Sequence, residues 1–215
     1  MASFDQAQAI VKKTEGGYQA YAGDTGNYIN GVLIGTNWGI SAPAYAAWLK
    51  RTPTKAEMMA MSYDTAKQIY KKNYWAPIMG DDIKNQSIAN IIYDTAVNAY
   101  SQAFYGVRQA LKNQNVKING ADIEVKKAFV NSDIINALNK ANQAQLFDAI
   151  KKHRETFYTN LNSEFTNAWL KRVAQFAYTP TGIVSLTFVI LASAGLVIWL
   201  NWDKFIKLIP AKITI

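Results

Sequence analysis

The sequence predicts a mainly α protein, with one short β-hairpin near its start and a single transmembrane helix near its C-terminus. Three features predict it. Apolar residues recur at helical spacing over most of residues 4–176, Asn30-Gly31 separates two short β-rich runs, and Val173 to Trp202 contains no charged residue.

Phe4, Ala7, Ile10 and Val11 mark an amphipathic helix over about residues 4–14, with Gly16-Gly17 as its stop, which leaves Glu15 at the last turn. Tyr28-Ile29 and Val32-Leu33-Ile34 read as strands, because Asn30-Gly31 supplies the two positive φ angles that a type I′ turn requires. No other hairpin is expected. Helices follow at about 43–50, 54–74, 86–113, 122–130, 132–139 and 142–176, punctuated by Gly, Pro, Asn and Asp. Ile183 to Leu200 is nearly continuous apolar sequence of bilayer length, with Trp199 and Trp202 at one edge and the break Thr179-Pro180-Thr181-Gly182 before it. The expected organisation is 1–80 with the hairpin, 81–176 completing the helical domain, a span at 180–202 and a short basic tail at 203–215. Basic residues flank the span on both sides and leave its orientation open; no leading apolar stretch marks a secretory signal.

Composition narrows the chemistry. The net charge of +8 favours polyanionic partners, yet the basic residues are scattered as pairs such as Lys12-Lys13, Lys71-Lys72 and Lys151-Lys152, which argues against nucleic acid. Cysteine is absent and His153 is the only histidine, so zinc sites and nucleophile–histidine catalysis are excluded. No metal and no cofactor is expected. Carboxylates are left for acid–base work. A helix ending in Glu15, followed by a hairpin region holding Asp24, suits glycosidic bond cleavage, in which one carboxyl group protonates the leaving oxygen and a second assists water. Glu15 lies among Gly16, Gly17, Tyr18 and Tyr21, where partial burial would keep it protonated near neutrality.

Glu15-Gly16-Gly17-Tyr18, then Asp24, then Gly35-Thr36-Asn37-Trp38-Gly39-Ile40 resembles the signature of glycoside hydrolase family 108, bacterial and phage N-acetylmuramidases with a lysozyme-like fold. The likeness continues through Tyr70 to Pro77, Tyr93 to Asn98, Val107 to Leu111 and Arg154 to Leu161, the later part resembling that family's peptidoglycan-binding segment. The order Glu, Asp, Thr is also similar to the triad of phage-type lysozymes. The resemblance implies a lysozyme-like domain with Glu15 as general acid, Asp24 as base or electrostatic partner and Thr36 as the hydroxyl that orients water. Tyr18, Trp38 and Tyr45 are then the rings expected to meet sugar faces, with core packing as the competing use of each. Asp94 and Asn98, one helical turn apart, either border the cleft or form a buried pair supporting the hairpin.

The activity so implied is hydrolysis of the β-1,4 bond between N-acetylmuramic acid and N-acetylglucosamine. A lytic transglycosylase and a non-catalytic wall-binding or structural membrane protein are the rival readings. Peptidoglycan and a lipid membrane are the expected partners, together with virion or membrane assembly partners. The expected location is a single-pass membrane position, in a virion internal membrane or a host inner membrane, in a phage or prophage setting.

Overall fold

The computed structural model describes residues 1–180. Helix α1, Phe4–Lys12, is capped by the Ser3 side chain, which accepts from the Gln6 amide, and it buries Phe4, Ala7, Gln8 and Val11. The chain then runs through a 3-10 turn at Thr25–Asn27 into β1, Tyr28–Ile29, and β2, Val32–Leu33, which pair antiparallel in the register Tyr28 to Leu33. Asn30 and Gly31 have φ of 49° and 78°, the type I′ geometry that their sequence demands.

Helices α2, Ala42–Leu49, α3, Lys55–Met59, and α4, Tyr63–Tyr70, follow; α4 passes directly into a π-helical turn at Lys71–Trp75. The expected single helix over 54–74 is divided because Ser62 caps a new start, its hydroxyl accepting from the Thr65 amide. Helix α5, Gln86–Asn98, is the central strut, contacted by α1, by α6, Tyr100–Asn113, and by α8, Gln143–Leu161. Ile88, Ala89, Ile91, Ile92, Tyr93 and Ala96 of α5 are each 2% exposed or less. Each large aliphatic side chain so buried contributes roughly 1.5–3 kcal/mol, which offsets the several kcal/mol that each buried ion costs at Asp94 and Arg154.

The helix expected over 86–113 breaks at Ala99 (φ −149°, ψ 74°), where the Asn98 side chain turns back, its Nδ2 donating to the Asp94 carbonyl at 3.2 Å. The helix expected over 122–130 does not form. Buried Arg108 takes the Phe129 carbonyl through Nε (3.1 Å) and Nη2 (3.0 Å) and the Glu124 carbonyl through Nη1 (3.2 Å), holding this stretch irregular. Just before it stands a second hairpin, β3, Lys117–Ile118, with β4, Ala121–Asp122, turned by Asn119 and Gly120 at φ of 51° and 80°. The fold is therefore mainly α with two short hairpins, not one. Helix α7, Ser132–Lys140, matches its expectation, but 142–176 divides at Asn162, whose left-handed φ of 46° ends α8 before α9, Thr166–Ala174.

The expected C-terminal transmembrane helix, and the single-pass membrane location that followed from it, are corrected: among the described residues no helix is long and apolar enough to cross a membrane. The longest, α8, carries Asp148, Lys151, Lys152, Arg154 and Glu155. The apolar stretch and basic tail on which those expectations rested, from 181 onward, lie outside the described residues.

Both ends of the described chain tie to one place. The Ala2 amide donates to the Ile83 carbonyl at 2.7 Å and the Ser3 amide to Gln86 Oε1 at 2.6 Å. The Thr179 amide donates to Ser87 Oγ at 3.0 Å, and Asn85 Nδ2 donates to the Thr179 carbonyl at 2.9 Å.

Candidate active site

Glu15 continues the last turn of α1, its amide donating to the Val11 carbonyl at 3.2 Å beside Thr14, which does the same at 2.9 Å. Val11 is fully buried, so the backbone at the foot of this carboxylate is anchored in the core. The side chain is 21% exposed. Burial raises the proton affinity of Glu15 above that of an ordinary glutamate; the nearby Arg172 charge opposes this and the Asp94 charge adds to it.

A turn closes over the carboxylate. Asn37 and Ile40 exchange backbone hydrogen bonds of 3.1 and 2.9 Å, with Trp38 and Gly39 between them at φ of 52° and 74°. A β-carbon added at Gly39 would overlap both Glu15 Oε2 and the Tyr70 hydroxyl, so only glycine lets the turn approach this closely. Trp38 bears the less favourable left-handed conformation because its side chain and neighbours hold it. Its indole donates to the Met61 carbonyl at 3.0 Å and packs edge-on against Tyr63, while Asn37 Nδ2 reaches the Met58 and Met59 carbonyls at 2.9 and 3.2 Å.

The Tyr70 hydroxyl donates to the Trp38 carbonyl at 3.1 Å. Its ring leads outward through Tyr74 (centroids 5.7 Å apart) to half-exposed Tyr100 (6.3 Å). Burial, with the Glu15 charge second, raises the pKa of both Tyr70 and Tyr74, so these hydroxyls stay protonated beside it. The π-helical turn holding Tyr74 is a rare conformation that favours functional sites.

On its other side Glu15 meets α9. Arg172 Nη2 is 3.6 Å from Glu15 Oε1, and the same guanidinium grips Asp94 through Nη2 to Oδ1 at 2.7 Å and Nε to both oxygens at 3.1 Å. Arg154 Nη2 lies 2.6 Å from Asp94 Oδ2, both side chains 1% exposed. That contact is an ion pair rather than an aligned hydrogen bond, and the Arg154 guanidinium otherwise faces the Tyr158 and Phe176 rings at 5.4 and 5.6 Å.

Asp24 stands in a separate but linked network. Its Oδ1 caps the 3-10 turn by accepting from the Gly26 amide at 2.9 Å, and its Oδ2 accepts from Gln19 Nε2 at 3.2 Å. Gln19 is also bridged to Thr36 by a backbone pair of 2.8 Å each way and bonds Asn27. Asp24 is exposed, Thr36 is half-buried, and Gln19 joins them.

Residues 8–99 match the family model described as glycosyl hydrolase 108. This stretch, which holds Glu15, Asp24 and Thr36, is similar to that family. Its fold is similar to the structure of Brucella abortus SagA, with 25% identity and a TM-score of 0.63, over 80% of this chain and 90% of that one. No curated protein matches it. The mainly helical fold with its two hairpins fits a lysozyme-like architecture, and the comparisons support a lysozyme-like glycoside hydrolase for which peptidoglycan is a fitting substrate. Neither comparison bears on a phage, virion or membrane setting.

Among the residues singled out from the sequence, Glu15 and Trp38 converge at the closing turn, and Asp24 and Thr36 converge at Gln19. Tyr18 is half-buried, its ring against Gly35 and its hydroxyl on the Ile34 carbonyl at 3.0 Å. Tyr45 is 8% exposed in the core. Asp94 is fully buried beneath Arg172, and exposed Asn98 bonds its backbone carbonyl rather than its carboxylate. Sequence reasoning missed Gly39, Tyr70, Arg154 and Arg172. The one signal for the arginines was Asp94 itself, a carboxylate in an apolar helix that requires a cation.

Proposed function

We propose that this enzyme hydrolyses the β-1,4 bond between N-acetylmuramic acid and N-acetylglucosamine in peptidoglycan, with Glu15 giving its proton to the leaving glycosidic oxygen. The observation that carries the proposal is the setting of Glu15. It is a carboxyl group anchored by a buried helix turn, covered by a glycine turn, and raised in proton affinity by burial while still partly open to solvent. A general acid needs this combination near neutral pH.

Asp24 and Thr36 are proposed to order the attacking water. Gln19 fixes the Asp24 carboxylate from one side and the Thr36 backbone from the other, and the Thr36 hydroxyl has no protein partner among the described residues. Tyr18 and Trp38 are the half-buried rings placed to line the sugar path, whereas Tyr45 and Asp94 serve the framework and Asn98 marks its rim. The family resemblance supports the same assignment of Glu15, Asp24 and Thr36.

The test incubates the protein and a Glu15→Gln variant with purified peptidoglycan and reads the released fragments by mass spectrometry. Fragments with reducing N-acetylmuramic acid ends, lost by about 10²-fold or more in the variant, are expected. Anhydro ends would move the enzyme to the lytic transglycosylases. Equal release by both proteins would remove Glu15 from the chemistry.

A further inference from the structure

We propose that Arg172 is a positioning residue for the acid: clamped by Asp94, its guanidinium orients the Glu15 carboxyl group and stabilises the carboxylate formed as Glu15 gives up its proton. The inference rests on Glu15 being the general acid.

The geometry separates the two jobs of one guanidinium. Nε and Nη2 are committed to Asp94 at 2.7–3.1 Å, which fixes the plane of the group, and Nη2 then stands 3.6 Å from Glu15 Oε1. Asp94 does not yield, because Arg154 holds its second oxygen from a fully buried position. Glu15, Arg172, Asp94 and Arg154 form an alternating chain of charge, with α9 at its centre. The groups facing Glu15 are Arg172 from α9, Asp94 behind it on α5, Tyr70 from α4 and Tyr74 from the π-helical turn, while the residue 37–40 turn presents backbone.

A bare arginine at this distance would favour the Glu15 anion over the neutral acid. Asp94 offsets much of that charge. Desolvation outweighs Arg172, so the resting site favours the protonated carboxyl group more than water does. When the proton leaves, the new anion meets a fixed cation already in place. The interaction is stronger in the transition state than before it, which is the condition for acceleration. Arg172 lies beyond the 8–99 match, so family placement alone does not reveal it.

The test uses the full chain with Glu15→Gln, Arg172→Gln and Arg172→Lys variants, measuring kcat and KM on peptidoglycan across pH, and titrating the Glu15 carboxyl carbon by NMR. Glu15→Gln is expected to be inactive at every pH; activity there would overturn the general-acid reading itself. Arg172→Gln is expected to lose about 10- to 100-fold in kcat at little change in KM, a share of the roughly 10²–10⁴ that general acid catalysis supplies. Its alkaline limb and its Glu15 titration are expected to move upward by about one pH unit, because a cation that favoured the anion is gone. An unmoved limb and titration in folded Arg172→Gln would overturn the proposal. Should that variant fail to fold, Arg172→Lys decides: it keeps the charge but not the fork, so lowered kcat at unchanged KM supports the proposal and parental kcat overturns it.

Discussion

Asp94→Asn is the most informative single substitution outside the acid. It keeps the shape of the side chain and removes its charge, at a site where the carboxylate is 1% exposed and pairs with Arg154 at 2.6 Å and with Arg172 at 2.7 Å. The two arginines are affected unequally. Arg172 is 14% exposed and can still turn to Glu15 and solvent, whereas Arg154 is fully buried and keeps only ring contacts and the Tyr158 hydroxyl at 3.3 Å. Breaking one side of a buried pair costs about 3–5 kcal/mol, and the stranded Arg154 places this site in that range. In a domain of this size each kcal/mol moves Tm by roughly 2–4 °C, so a fall of about 10 °C is expected. Urea denaturation followed by tryptophan fluorescence measures the loss directly. Adding Arg154→Met to Asp94→Asn removes the stranded charge and should return at least about 1 kcal/mol. A loss below about 1 kcal/mol in the single variant, or a double variant no better than the single, would refute the account of this cluster.

Gly39→Ala is expected to lower kcat by about 10²-fold while leaving a folded protein, since its β-carbon meets Glu15 and Tyr70 and a misplaced acid is costly; circular dichroism beside activity checks this, and parental activity would show that the turn does not set the acid's position. Glu15→Gln should be more stable than the parent at pH 7 but not at pH 4. The folded state raises the Glu15 pKa, so its favourable contribution is full below the unfolded value and is lost as pH rises through the folded one, at about 1.4 kcal/mol for every pH unit that separates the folded and unfolded values. Thermal melts of both proteins from pH 4 to 8 test it, and a constant difference in Tm would contradict it.

How much of this site could be read in advance follows from how local each signal is. Glu15 was legible because helix periodicity ends beside it, although the neighbouring glycines misled: a β-carbon at Gly16 or Gly17 meets nothing, and the glycine the site requires is Gly39. The first hairpin was legible from Asn30-Gly31. The second rests on the same dipeptide, Asn119-Gly120, but its strands are two residues each and too short to alternate visibly. Long helices were read through Ala99 and Asn162 because the apolar period resumes after each break. Arg172 had no local mark at all, since its partners lie 78 and more residues away and only the turn at Asn162 returns it to them. The stretch 122–130 carries helical periodicity, yet its carbonyls are claimed by Arg108, a tertiary preference that outweighs a weak local one.

The joining of Ala2, Ser3 and Thr179 at residues 83–87 has an engineering consequence. Because both ends meet at the first turn of α5, linking residue 2 to residue 179 would close a short loop at small entropic cost, and the chain could be reopened at the exposed Asn119-Gly120 turn. At 1.5 Å per residue, Gln86 is about 12 Å along the helix from Asp94. A circular permutant of this kind would place its new junction away from the acid while leaving α1 and α9, which jointly enclose Glu15, in one continuous run of sequence.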